Sequence, residues 1–223
     1  RTYYSSYKER NMFDIEYKGG NTVVLSTKKL TLVSDPRTSI IGMKDQKTAD
    51  RVEVGTESRF LLNSNDARLV IDGPGEYEVG DFTIRGIAAT RHIDTPEQEQ
   101  LATIYRIECG DVRVALIGNI DPNLTDEQLE QLGVVDILIV PVGGGGYTLD
   151  ATNAAVLVSR IEPKIVVPVH YSDPDLRYEV PQDTLDLFTK EVSASLEETS
   201  KYKVKSSATL PAALTIVHLT RTA

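Results

Sequence analysis

Histidine is scarce in this chain. Of 223 residues only three are histidine, His92, His170 and His218, and none falls in the first 91. Chemistry that needs several imidazoles side by side has few places to be built. Cysteine occurs once, at Cys109, so no internal disulfide forms. Its setting, TIYRIECGD, reads as a strand end before a turn, where a buried structural thiol in a reducing cytoplasm is expected. No run approaches the roughly 18 apolar residues of a membrane span. The first residues, RTYYSSYKERN, lack the apolar centre of a secretion signal. Residues 1–11 are expected to be an extension or remnant outside the fold, and 12–223 a single domain. Positive charge is also short. Lysine plus arginine number 24 against 33 acidic residues, a net charge of −9. Phosphate backbones and anionic membranes repel such a surface, so neither nucleic acid nor membrane is an expected partner. The densest basic cluster, Lys201, Lys203 and Lys205, alternates as the solvated face of a strand would.

What is present reads first as strands. FDIEY, TVVLS and LTLVS are separated by Gly19-Gly20-Asn21 and Lys28-Lys29. VEV (52–54), RLVID (68–72), EYEV (76–79) and FTIRGI (82–87) follow, and TIYRIE with VRVALI makes a hairpin about Gly110-Asp111. The pattern then changes. Thr125 with Gln128 three positions on predicts a capping box and a short helix. VDILIVPV (135–142) is apolar almost throughout, as a strand buried on both faces should be. Helices are predicted over 152–161 and 183–192, with KIVVPVHY as a strand between them and ALTIVHL as the last strand. Strands first and alternating strands and helices later predict a layered α/β protein.

Three stretches carry a resemblance: IDGPGEYEVGDFTIRGI, GNIDPNLTDEQLEQLGVVDILIVPVGGGGYTLDATNAA and IEPKIVVPVHY. They resemble the metallo-β-lactamase-fold hydrolases, in particular a small bacterial Zn-dependent hydrolase-like branch, from about Met12 to Leu219. The resemblance implies a four-layer αββα sandwich. It also implies a metal site whose hallmark is an H-x-H-x-D-H motif, completed by later histidines and by an aspartate in a Gly-Asp. Imidazoles and carboxylates there hold zinc at about 2.0–2.2 Å and generate hydroxide near neutral pH.

Aligned by that resemblance, the motif positions are held by Thr56, Ser58, Phe60 and Leu61. The Gly-Asp reads Gly118-Asn119, and the early Gly-His reads Gly19-Gly20. His92 and His170 alone keep ligand positions. Hydroxyls bind zinc poorly without charge, a carboxamide at Asn119 cannot bridge two dications, and Phe60 and Leu61 place hydrocarbon where a polar cavity is needed. The expectation is a degenerate site: no catalytic residues, no metal and no cofactor, in a pseudoenzyme with a binding or assembly role. Its partner would be a protein or a small molecule, with a homo-oligomer left open. The alternative is a divergent hydrolase holding one zinc or other divalent transition metal through His92 and His170, with Asp94, Asp121 or Glu57 assisting.

Other features read more plainly. His218 in an apolar strand is structural. Gly143 to Gly146 form a close-packed turn before a helix capped by Asp150 or Thr152, since the Lys-Ser of a phosphate loop is missing. The resemblance puts Tyr147 and Tyr171 at the mouth of the site, as ligand contacts or as plugs. Residues 173–183 read as a solvated acidic loop. With no G-x-S-x-G elbow and no evident Cys–His pair, nucleophilic catalysis has little support.

Overall fold

In the computed structural model, residues 12–95 and 97–223 are described; the segment 1–11 lies outside them. In chain order the strands are β1 (Phe13–Gly19), β2 (Thr22–Ser26), β3 (Thr31–Ser34), β4 (Val52–Gly55), β5 (Leu69–Asp72), β6 (Gly75–Val79), β7 (Phe82–Ala89), β8 (Ala102–Cys109) and β9 (Val112–Leu116). Helix α1 (Asp126–Leu132), β10 (Ile137–Pro141), α2 (Ala151–Ile161), β11 (Ile165–Val169) and α3 (Leu185–Glu191) follow. Then come β12 (Ser195–Thr199), β13 (Tyr202–Val204) and β14 (Thr215–Leu219).

Two mixed sheets result. One runs β13-β1-β2-β3-β4-β5, the other β12-β14-β11-β10-β9-β8-β7-β6. Strand β1 buries every second residue, Phe13, Ile15 and Tyr17, as period-2 geometry requires. Strands β10 and β11 are buried at every position and pair in parallel, Ile137 with Ile165, which is why their sequences show no alternation. Inner residues of both sheets, including Ile15 and Leu25 from one and Ile84 and Ile107 from the other, join one buried cluster. Helix α1 lies on β7, α2 on β10 and α3 on α2. This is the sandwich expected from the sequence. The capping box at Thr125 forms as expected, with Gln128 closing it, and Asp150 rather than Thr152 caps α2. One strand was not expected: SLEET, now β12, is an almost fully exposed edge whose side chains show no buried face.

The topology gathers certain loops at one end. Strands β9, β10 and β11 are parallel, as are β3 and β4, and β7 runs with β9 because both oppose β8. The segments leaving β3, β4, β7, β9, β10 and β11 are the ones that carry the chemistry-bearing residues of this chain. In parallel sheets, ligand sites form at these carboxyl ends.

The loop after β4 is tied down by a buried carboxylate. Glu53 is fully buried and accepts the amides of Leu62 (3.0 Å), Asn63 (3.1 Å) and Ser64 (3.0 Å). Glu53→Ala removes all three bonds and leaves a void, so urea denaturation should show a loss of roughly 2–4 kcal/mol. Glu53→Gln, keeping one acceptor oxygen, should fall between the two; equal stability of all three proteins would contradict this anchoring role.

Candidate functional site

The turn after β3 supplies Asp35, at φ +48° and 4% exposed. Its Oδ1 accepts the amide of Thr56 (2.8 Å) and its Oδ2 accepts the Thr56 hydroxyl (2.6 Å). Burial raises its pKa to about 7, overcoming the lowering by those two hydrogen bonds; the charge of Glu57 adds to the rise. Neither role was read from the sequence. An acid before a proline looks like an ordinary turn residue until its partner, twenty-one positions on, is known.

The segment Gly55 to Leu61 follows β4. Thr56 is buried against Gly118, its hydroxyl committed to Asp35. Ser58 points the other way and donates to Asp72 (2.7 Å). Phe60 is buried along a cavity wall, and Leu61 packs on Gly55 so closely that a Cβ there would sit 2.6 Å from it. Between them, Arg59 ion-pairs with Glu57 (3.0 Å) and Glu179 (3.3 Å), donates to the Tyr147 hydroxyl, and lies 4.5 Å from the Phe60 ring centre. Glu57 is 3% exposed at its side chain and also faces Arg91 at 3.7 Å. Burial raises its pKa, and the Arg59 guanidinium opposes that rise. Arg91 in turn grips Asp94 through two bonds of 2.9 and 2.7 Å, which hold Asp94 below the usual carboxylate range.

His92 lies against Asn119, and His170 lies on the segment after β11. His92 donates its amide to the Asn119 carbonyl (2.9 Å), and its Nδ1 lies 3.3 Å from the Ile120 carbonyl. Asn119 is buried and its Oδ1 accepts from Asn21 (2.8 Å); Asn21 Oδ1 and Asn119 Nδ2 are buried with no partner among the described residues. His170 follows β11 at φ +52°, its amide held by the Gly20 carbonyl (2.9 Å). Its Nδ1 meets Gln182 Oε1 at 2.7 Å, while Gln182 Nε2 donates to Val180 O, which fixes the amide's orientation. Nδ1 therefore carries the proton and Nε2 is left as an acceptor. Burial lowers the His170 pKa to about 4, so the ring is neutral near pH 7.

Some of these groups frame a cavity of about 430 Å³, counting the part open to solvent, lined by residues that include Asn21, Asp35, Phe60, Tyr147, His170 and Tyr178; Thr56, Ser58, Leu61, His92 and Asn119 are not among its lining residues. The tyrosine expectation needs a correction. Tyr147 lines the cavity, but Tyr171 is buried against Tyr17 and His218 instead. Tyr171 follows His170 directly, and the cavity tyrosine on this segment is Tyr178, seven positions further on, its ring centre 4.7 Å from that of His170. The acidic loop is likewise more than a solvated run. Asp173 and Asp175 bind Arg221, and Tyr178, Glu179 and Val180 complete the cavity. The glycine turn is close-packed as expected: a Cβ on Gly143 would fall 2.1 Å from both Gln182 and the His170 carbonyl. Cys109 is buried, and His218 pairs with Glu198 away from the cavity.

The donor set does not fit a dinuclear metal centre. Thr56 and Ser58 are committed elsewhere, Phe60 and Leu61 have no donor, and Arg59 adds a fixed positive charge. Among the described residues no group of three or more His, Cys, Asp or Glu side chains is placed to hold an ion.

Residues 14–170 match the family profile described as the beta-lactamase superfamily domain. The UPF0173 proteins of Pyrococcus furiosus and Pyrococcus abyssi are 34% and 32% identical to the chain over 128 residues. That match covers 56% of this chain, and the chain spans 57% of the length of each of these relatives. A Thermotoga maritima structure, described as a candidate Zn-dependent hydrolase of the metallo-beta-lactamase superfamily, superposes with a TM-score of 0.71 at 22% identity, covering 93% of this chain and 100% of that one. The metallo-beta-lactamase fold protein YhfI of Bacillus subtilis does so at 0.54 and 12%, covering 92% and 96%. At those identities the two structures establish the fold alone.

Asp35 gives a pH test independent of any ligand. Its folded pKa lies above its unfolded value, so native protein keeps the proton that unfolded chain releases between about pH 4 and 7. This contribution to stability is complete below pH 4 and lost as pH rises through 7. Asp35→Asn, which mimics the protonated acid, should gain stability relative to wild type across that window, by a few kcal/mol at most. The opposite contribution of His170 cancels in the comparison. A difference in urea midpoint that is constant from pH 4.5 to 7.5 would refute the raised pKa.

Proposed function

The chain belongs to the beta-lactamase superfamily domain family, and on that premise we propose that it is a non-catalytic member that uses the family's cleft for binding. Its scaffold is that of metal-dependent hydrolases, and hydrolase-like is the coarse description its neighbours share. The observation that carries the proposal is Arg59. A guanidinium is permanently charged, and this one stands in the loop where the resemblance locates the metal-binding motif, neutralised by Glu57 and Glu179. A dication brought beside it would face direct repulsion, strengthened by the low polarity of Phe60 and Leu61. Two of the carboxylates that could have assisted a metal ion, Glu57 and Asp94, are already paired with Arg59 and Arg91. The remaining candidate ligands are two imidazoles, too few for the hydroxide-generating chemistry of active relatives.

The second reading keeps one zinc or other divalent transition metal. What favours it is His170: a ring anchored through Nδ1 with Nε2 open is the arrangement of a ligating histidine. One measurement separates the two. Full-length protein expressed with zinc, iron and manganese in the medium and then desalted should contain less than about a tenth of an equivalent of each. Near-stoichiometric metal that His170→Gln abolishes would establish the hydrolase reading instead. The partner in solution, including a second copy of the chain, and a cytoplasmic setting belong to the same proposal. No helix among the described residues is long and apolar enough to cross a membrane.

A further inference from the structure

Most polar groups around the cavity are already committed. Both oxygens of Asp35 hold Thr56, and Glu179 is paired with Arg59. The Thr22 hydroxyl donates to the Asp35 carbonyl (2.7 Å), and the Tyr178 hydroxyl to the Tyr171 carbonyl (2.9 Å). Arg37 differs. Among the described residues it is the only lysine or arginine that lines the cavity. Its Nε and Nη2 both donate to one neutral acceptor, the Leu61 carbonyl (3.0 and 2.6 Å), and no carboxylate of a described residue lies within ion-pair distance of it. Arg59 and Arg91, from the loops after β4 and β7, each meet carboxylates. A guanidinium presents five N–H groups along a planar fork. With the Nε edge taken by Leu61, the edge between Nη1 and Nη2 is left uncommitted. Nη1 is not among the buried side-chain atoms that lack a partner, so it is not sealed inside the protein.

The rest of the lining is largely apolar: Ile40, Ile41, Phe60 and Val180 share the space with Arg37. A partly desolvated guanidinium with a free edge selects a planar anion, and the pair strengthens as water is excluded. A cation would instead face both Arg37 and Arg59. The charge of Glu179 is met by Arg59, and burial already favours the protonated form of Asp35, so Arg37 is the least compensated charge of the lining. We infer that the cavity binds a small monocarboxylate on a short aliphatic body. Its carboxylate would take the Nη1–Nη2 edge of Arg37, and its hydrocarbon would lie against Ile40, Ile41 and Phe60. This inference rests on the cleft being a metal-free binding site.

The test titrates isovalerate, isovaleramide, acetate and inorganic phosphate calorimetrically into the full-length protein near pH 7, with metal content measured on the same sample. Isovalerate should bind at least about tenfold more tightly than isovaleramide, which has its shape without its charge, and than acetate, which has its charge without its body. Phosphate should bind no better than acetate. Arg37→Gln should reduce isovalerate to the level of the amide. Because Arg37 also holds Leu61, a second variant leaves that bond alone. Glu179→Gln, on an exposed side chain, removes a negative charge from the lining and should tighten isovalerate about threefold without changing the amide. Near-stoichiometric metal would overturn the underlying reading. In metal-free protein, any of the other three probes binding as tightly as isovalerate, none of the four binding, or a folded Arg37→Gln protein that keeps the preference would leave that reading standing and overturn this one.

Discussion

Buried carboxylates fix the segment between β4 and β5, and the shape of the whole cleft depends on them. Asp35 takes its first residue, Thr56, through two hydrogen bonds. Glu53 takes its far end through the amides of residues 62 to 64. Arg37 holds the middle by the Leu61 carbonyl. Once the backbone is pinned in this way, Leu61 has only the space over Gly55, Phe60 faces the cavity and Arg59 reaches Glu57. A loop with three such attachments keeps its course without an ion to organise it.

The electrostatics follow from that geometry. In a metal centre, carboxylates and imidazoles converge on external positive charge. Here the positive charge is covalently part of the chain, and the groups that surround it come from four different loops: Glu57 beside it, Arg91 with Asp94 after β7, Tyr147 after β10 and Glu179 after β11. Arg59 thus links these loops through ion pairs and hydrogen bonds. A scaffold preserved to this degree says little about activity, because chemistry resides in the site and not in the sheets beneath it.

The architecture was largely legible in the sequence, because burial writes itself into periodicity. The alternation of β1, the unbroken apolar runs of β10 and β11 and the Thr125 capping box all announced their elements. The edge strand β12 did not, since an exposed strand has no buried face to mark it. Of the positions singled out in the sequence, Phe60 and His170 line the cavity, and the site was legible to that extent. It was illegible where function comes from a distant partner. Nothing near Arg59 points to Tyr147 or Glu179, and nothing near His170 points to Gln182. Tyr171 was the natural choice for the cavity wall by adjacency, yet the chain turns and delivers Tyr178.

The outermost strand of the first sheet has an implication for how the molecule is made. Phe13 pairs with Val204, Thr222 donates to the carbonyl of Tyr17, and Lys18 bonds both Thr222 and Ala223. Strand β1 therefore leaves the ribosome long before β13, which covers its free edge, is translated. Until then it is an open template, and closing such a long loop is slow. Vectorial synthesis thus leaves the β1 edge unpaired until the segments around Val204 and Thr222 arrive.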